Sequence, residues 1–235
     1  MANLLNSIGI VSSNQGDYDK AIEYYKKALP IKEEAGDKPG IGALLGNIGL
    51  EYSLKGEYDM ALEFYAKALK IWEELGNKPS RGRILNNSGS TYFYKGDIDK
   101  AIEYKEKALS IRKSLADTLG MTHSLNSLGG FHTYQGAIDK ALEYYTISHE
   151  LREQMGNTRF MGSSHLDLGW FYYYIGDYQK AIEHFEHSLD LLKDNPNMNE
   201  SNLYSTGFLF HSYYILGKDF DKNELKERIK KADKE

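Results

Sequence analysis

The chain contains no cysteine, which excludes disulfides and thiolate metal sites. The same absence fits a reducing compartment, so the expected location is cytoplasmic. Long apolar runs are missing too: none approaches the roughly 18 residues that cross a bilayer. The opening "MANLLNSIGIVSSNQGD" has neither a basic segment nor a small-residue cleavage site, so no secretory leader is read. Basic charge is not in excess either. Lys and Arg number 29 against 34 Asp and Glu, a formal charge of -5 with a pI near 5.8. A phosphate-backbone binder needs a basic stripe, so nucleic acid is not an expected partner, and neither is a membrane. No P-loop, no G-x-G-x-x-G fingerprint and no Ser-His-Asp order occurs, so neither an enzyme nor a cofactor is expected. Apolar content of 41% and charged content of 27% are those of a folded chain. Only tyrosine is abundant, with 19 copies.

What is present is repetition. "GDYDKAIEYYKKAL" starts at Gly16, "GEYDMALEFYAKAL" at Gly56, "GDIDKAIEYKEKAL" at Gly96, "GAIDKALEYYTISH" at Gly136 and "GDYQKAIEHFEHSL" at Gly176. Three further registers keep the same period of 40: Gly9, Gly49, Gly89, Gly129, Gly169; Ala21, Ala61, Ala101, Ala141, Ala181; and Glu23, Glu63, Glu103, Glu143, Glu183. Periods of this length mark repeat architectures.

Each unit reads as two helices. In the second, Leu45, Ile48 and Tyr52 recur at three- and four-residue steps, one apolar helical face. Ala61, Leu62, Tyr65, Ala68, Leu69 and Trp72 do the same further on. Gly56 ends the first helix in the left-handed conformation that glycine tolerates, and Asp59 is the expected N-cap of the second. Gly76 closes that helix, and Pro79 stops its continuation. Gly49 and Ala61 fall where two antiparallel helices cross, because small residues let backbones approach. One pair cannot bury its face alone; stacked pairs share a core and form a solenoid. Pro30, inside "KKALPIKEEAG", lacks the N–H a helix interior uses, so a kink or early break is expected in the first repeat only.

The pattern of small residue, aromatic, Gly-Asp/Glu-Tyr, Ala, aromatic, Ala resembles the tetratricopeptide repeat, over nearly the whole chain. The family unit has about 34 residues; the 40-residue unit here is similar to the long-repeat subclass of spindle-orientation adaptors and prokaryotic signalling proteins. The resemblance implies an all-α, right-handed superhelical solenoid of stacked antiparallel pairs. A single solenoid is expected over 1–235, with repeats near 2–36, 42–76, 82–116, 122–156 and 162–196 and a divergent capping pair over 201–235. In that last pair Asn223 stands near where alanine should be, and 219–235 reads as a polar cap. The first helix begins at Met1, and its Leu4 and Val11 lack an upstream partner. Either the chain was cut from a longer protein or that end meets another subunit, so self-association through the N-terminal helix is also expected.

The resemblance further implies a concave ligand groove lined by first helices. Registering on Gly9, the inward positions are Asn3, Asn6, Ile10 and Ser13; Ala43, Gly46, Leu50 and Ser53; Arg83, Asn86, Ser90 and Phe93; His123, Asn126, Gly130 and Thr133; Ser163, Leu166, Trp170 and Tyr173. The candidate peptide-binding residues are Asn6, Leu50, Arg83, Asn86, Phe93, His123, Asn126, Trp170 and Tyr173. Asparagine offers a donor and an acceptor to an extended backbone, and Trp and Tyr are favoured anchors. Against this, most tyrosines are repeat packing: Tyr52, Tyr92 and Tyr172 against the partner helix, and Tyr25, Tyr65 and Tyr145 likewise. Trp170 and Tyr173 are balanced between groove and inter-repeat packing. Asn47 and Asn87 lie one step off the groove. Members that clamp a C-terminal carboxylate carry Lys and Asn in successive first helices; Asn6, Ile10, Asn86, Ser90, Asn126 and Gly130 occupy those places without a lysine, so that ligand is not expected. His184 and His187 stand at i, i+3 beside Glu183, a spacing that can present two metal ligands. Their place on a second helix reads instead as decoration of the outer face, so no metal is expected. The expected function is a non-enzymatic scaffold binding a peptide or helix. The alternatives are a peptide-sensing module of a larger signalling protein and a self-assembling solenoid unit.

Overall fold

The computed structural model describes residues 1–192 and 199–219, with side chains from 205 onward in the second segment. The described residues form helices and no strand. They are α1 Ala2–Asn14, α2 Tyr18–Glu34, α3 Lys38–Leu54, α4 Tyr58–Glu74, α5 Lys78–Lys95, α6 Ile98–Ser114, α7 Thr118–Tyr134, α8 Ile138–Gln154, α9 Thr158–Tyr174, α10 Tyr178–Leu192 and α11 Asn199–Ile215. Odd-numbered helices are the first of each pair and even-numbered ones the second. This is the all-α repeat array that the period of 40 predicts. The polar cap expected over 219–235 lies, apart from Asp219, outside the described residues. None of the described helices is long and apolar enough to cross a membrane.

The chain divides into two compact units, Met1–Ser124 and the residues from Leu125 onward. In the first unit, Ala21, Tyr25, Ala28, Leu44, Ile48, Ala61, Tyr65, Trp72 and Ile84 make one continuous buried core. In the second, Ala181, Ile182, Phe185, Leu189 and Leu209 do so, with Leu166, Tyr172 and Phe208 packed against them. Burying these faces removes about 25 cal/mol of unfavourable hydration per Å² of apolar surface, and each pair exposes enough apolar surface to need its neighbour.

The glycine and alanine registers are where helices touch. A Cβ added at Gly49 would stand 2.7 Å from the Tyr65 ring and 3.1 Å from the Ala61 carbonyl oxygen. At Gly89 the Ala101 carbonyl oxygen is again 3.1 Å away. Turn chemistry follows the sequence as well: Gly56 has φ +81°, a region closed to most side chains. The cap assignment shifts by two residues. The N-cap of α4 is Glu57, and Asp59 lies inside its first turn. In α2 and α6 the equivalent caps are Asp17 and Asp97, whose carboxylates accept from the amides of Lys20 and Lys100 at 3.2 Å. The residue after the glycine is the cap because it still has non-helical φ/ψ.

Pro30 does not end its helix. α2 runs four residues beyond it and equals α4 and α6 in length, 17 residues each. Pro30 is exposed, while Ala21, Ile22, Tyr25 and Ala28 of the same helix are buried. The carbonyl deprived of its donor therefore belongs to the solvent side, where water serves it and helices tolerate lengthened bonds.

Candidate functional site

The first helices carry the predicted contact residues, and each unit presents its own set. In the first unit, Leu50 on α3 is exposed. Arg83 on α5 is exposed and enters no ion pair among the described residues. Asn6 on α1 is half-buried, its Oδ1 accepting from Asn47 Nδ2 at 3.4 Å. Asn47, expected off the face, thus holds Asn6 in place. Asn86 is half-buried, and its Oδ1 accepts from Lys105 Nζ at 3.0 Å. Phe93 is half-buried with its ring 5.8 Å from that of Tyr94, and His123 on α7 is exposed.

In the second unit, Asn126 is half-buried and its Oδ1 is buried without a partner among the described residues. Trp170 and Tyr173, on α9, are brought together at 6.3 Å between rings. Both pack on α11. The Trp170 ring centroid lies 4.0 Å from that of Phe208, and Tyr173 bonds His211 Nδ1 through its hydroxyl at 2.6 Å. Trp170 keeps 37% of its surface exposed, so it serves packing with one face and solvent with the other. Two positions registered inward are not available. Gly46 is buried, with Ile84 Cδ1 2.8 Å from any Cβ it would carry. Thr133 is buried, and its hydroxyl donates to the Gly129 carbonyl at 2.8 Å. Asn86 and Tyr173 hold the same registers and are half-buried, so local packing at Gly46 and Thr133 covers them.

The second helices of the first unit differ in kind. Their outer faces are occupied by internal pairs, Glu23–Lys27, Glu63–Lys67 and Glu103–Lys107, each at i, i+4. Each lysine also sits 5.1 to 5.4 Å from an aromatic ring, of Tyr24, Phe64 and Tyr104. The Lys27 ammonium holds the Glu23 carboxyl below its usual range. Such exposed pairs add little stability, but these six charges are already matched within their own helices. The tyrosines behave as packing residues: Tyr52 stacks on Phe64 at 5.5 Å, Tyr92 lies 5.0 Å from Tyr104, and Tyr25 and Tyr65 are buried.

Sequence spacing did not reveal the residues that gather around His165. His149 on α8, His165 on α9, and His184 and His187 on α10 form one cluster in the second unit, with ring centroids 4.8, 5.2 and 5.1 Å from that of His165. His184 is half-buried and its Nδ1 is 2.9 Å from His165 Nδ1, so it is no mere outer decoration. Burial, then the neighbouring imidazoles, push His165 down to about 4 and His184 likewise. Separations of 16, 19 and 22 residues hide such a cluster from any short motif. The paired-helix reading, which sets α9 between α8 and α10, is the signal that could have found it.

No curated protein sequence matches the chain. Solved structures do. BtubC from P. vanneervenii is similar with a TM-score of 0.77 at 19% identity, over 92% of this chain and 90% of that one. A STAND ATPase with a tetratricopeptide repeat sensor, from Pyrococcus horikoshii, gives a TM-score of 0.82 at 19% identity, over 97% of this chain but 34% of that one. A Rap protein complexed with Competence and Sporulation Factor gives 0.72 at 19% identity, over 99% of this chain and 64% of that one. At these identities the likeness speaks of fold. The sequence profile of the tetratricopeptide repeat matches residues 1–74, 52–114 and 120–194. With that profile over most of its length and helix pairs at every 40 residues, the chain belongs to the tetratricopeptide repeat family.

Proposed function

We propose that the protein is a non-enzymatic interaction scaffold that binds a peptide or helix on the exposed faces of its first helices. The observation that carries this reading is the contrast within the first unit. Each second helix pairs a glutamate with a lysine one turn on, whereas α3 and α5 present an exposed leucine and an arginine that enters no ion pair among the described residues, with Asn86 one turn from the arginine. Apolar surface next to an unpaired cation and an amide suits a segment with a carboxylate and a hydrophobic side chain. In this reading Asn6, Leu50, Arg83, Asn86, Phe93 and His123 serve the first unit, and Asn126, Trp170 and Tyr173 the second. A related fold crystallised with Competence and Sporulation Factor supports a ligand-binding role.

The test is selection of a displayed random-peptide library on the whole chain, followed by affinity measurement against Arg83→Glu and Leu50→Lys. Both positions are exposed, so melting temperatures should hold. Binders are expected to share an acidic and an apolar residue and to lose about tenfold or more in affinity, the scale of an interface anchor. Binders that ignore both changes would defeat the assignment. A second reading, self-association, is favoured by Leu4, Ile10 and Val11, which expose 65%, 43% and 54% of their surface on α1. It predicts a concentration-dependent mass that Val11→Lys abolishes.

A further inference from the structure

We propose that His149, Glu153 and His165 form a binding site for a divalent transition-metal ion of the zinc class, bridging α8 and α9. One potential ligand atom from each residue lies within 4.8 Å of the other two. His149 and Glu153 are one turn apart on α8, and His165 faces them from α9.

The hydrogen bonds around His149 decide its tautomer. The Ser164 hydroxyl donates its proton to the Met161 carbonyl at 2.7 Å. Its oxygen can therefore only accept from His149 Nδ1, 2.8 Å away. With that bond made, Nδ1 carries a proton and Nε2 is the nitrogen that can offer a lone pair to a metal. That lone pair faces Glu153 Oε1 at 3.5 Å, longer than an N–H···O hydrogen bond. Two atoms so placed can share a metal cation between them. Tetrahedral ligation at about 2.1 Å would set ligand atoms roughly 3.4 Å apart, close to the spacing these two already have. His165 must approach by side-chain rotation, by up to about 1.4 Å on the same geometry.

The remaining features agree. His165 is half-buried with its Nδ1 engaged by His184 at 2.9 Å, which leaves Nε2 as its ligating nitrogen. His184 and Ser164 act as outer partners that orient the ligating rings, as carboxylates and carbonyls do in metal sites. Two imidazoles and one carboxylate match a zinc-class donor set and disfavour magnesium and calcium, which take oxygen ligands. The fourth position falls to solvent or to His187, which is exposed and stacks on His165. Nearby charge does not oppose the ion. Arg152 is buried but bonded to Asp167 at 2.8 Å, and on α10 Lys180 pairs with Asp177 at 3.4 Å. This departs from the expectation of no metal drawn from His184 and His187 alone: the pair that matters is on α8 and α9.

The test is titration of the chelator-treated full chain with cobalt chloride, read by visible absorption and by calorimetry, then competition with zinc chloride. Saturable binding near one equivalent, with a four-coordinate cobalt spectrum displaced by zinc, is expected. Glu153→Gln alters an exposed side chain and should leave the circular dichroism intact while weakening binding at least tenfold. His165→Gln should do the same, and His184→Ala/His187→Ala, which removes only an orienting partner and an optional fourth ligand, should keep a one-equivalent site at reduced affinity. No saturable binding by the wild type would overturn the proposal. So would undiminished binding by Glu153→Gln, or loss of binding only in His184→Ala/His187→Ala, which would place the ion on α10.

Discussion

The pairs α3–α4 and α5–α6 of the first unit are built on one plan and differ in what fills it. Both cross at a glycine lying 3.1 Å, by its would-be Cβ, from an alanine carbonyl oxygen. Behind Gly49 stands Tyr65, fully buried; behind Gly89 stands Lys105, equally buried at 2% exposure. Two residues further along the first helix the mismatch reverses. Thr91 on α5 is buried with its hydroxyl bonded to the Asn87 carbonyl at 3.0 Å and to Ser53 at 2.8 Å. Its counterpart on α3 is Glu51, buried, with Oε2 lacking a partner among the described residues. Each pair therefore holds one ill-fitting charge, of opposite sign. The backbone contact defines the repeat, while the space behind it tolerates chemistry that weakens the fold.

The largest effect should come from breaking the shared contact. Gly49→Val would drive its side chain into the Tyr65 ring, 2.7 Å from the first carbon, with a rigid aromatic and a backbone oxygen both in the way. A loss of about 3 kcal/mol is expected in urea unfolding. Gly89→Val meets Lys105 Cγ at 2.9 Å, a flexible chain that can swing aside, and should lose less. Equal losses would mean that the backbone approach alone, not the residue behind it, sets the tolerance.

Lys105 comes next. Burial, reinforced by Arg112, pushes its ammonium down to about 8. The unfolded chain, with the ordinary value of 10.5, binds more protons than the folded one between pH 8 and 10.5, so stability rises with pH across that window. Below it, the buried charge is a standing penalty. Lys105→Met should raise stability at pH 7 by roughly 2 kcal/mol and abolish the rise above pH 8. The check is the difference between the two proteins in urea midpoint at pH 7, 8, 9 and 10. A variant no more stable at pH 7 would mean that the bond to Asn86 repays the burial.

Glu51 makes the opposite, smaller case. Burial raises its carboxyl above 4.5, partly offset by Ser13. Just above pH 4.5 the folded chain binds more protons than the unfolded one, so stability falls as pH rises. Glu51→Gln should be more stable at pH 7 by about 1 kcal/mol, the scale of relieving an orphaned buried acceptor. The advantage should vanish below pH 4.5. A constant advantage at all pH values would implicate packing instead of charge.

These two residues also mark where the sequence was readable and where it was not. The period of 40, the glycine turns and the packing role of Tyr52, Tyr65 and Tyr92 were legible because each follows from spacing along one chain. Placing Arg83 and Leu50 on an exposed face needed only the helical repeat. Gly46 and Thr133 are covered by the packing around each position, Ile84 over Gly46 for one, which a register does not contain, and Asp59 is not the cap because a cap depends on the φ/ψ of one residue. The engagement of Asn86 by Lys105 and the gathering of four histidines depend on side chains reaching between helices, which no register along a single helix contains.

The smallest expected effect separates conformation from packing at the ends of the two pairs. α4 is followed by Gly76 at φ +63° and α6 by Ala116 at φ +51°, both left-handed. The hydrogen bonds are the same: Gly76 and Ala116 donate to the carbonyls of Glu73 and Lys113 at 3.0 and 3.1 Å, and Asn77 and Asp117 donate to those of Trp72 and Arg112, both at 3.0 Å. With the bonds matched, only the Cβ differs. A left-handed residue with a Cβ costs about 1 kcal/mol, while glycine adds about 0.4 to 1 kcal/mol of unfolded-chain entropy. Ala116→Gly should therefore raise stability by a few tenths of a kcal/mol, about 0.5 at most. Gly76→Ala, the reverse change at a matched site, should lower it by the same few tenths, because the entropy gain offsets most of the strain. The pair of melting temperatures is the measurement. Were Ala116→Gly to destabilise the protein, the methyl group would be making contacts worth more than the backbone strain it imposes.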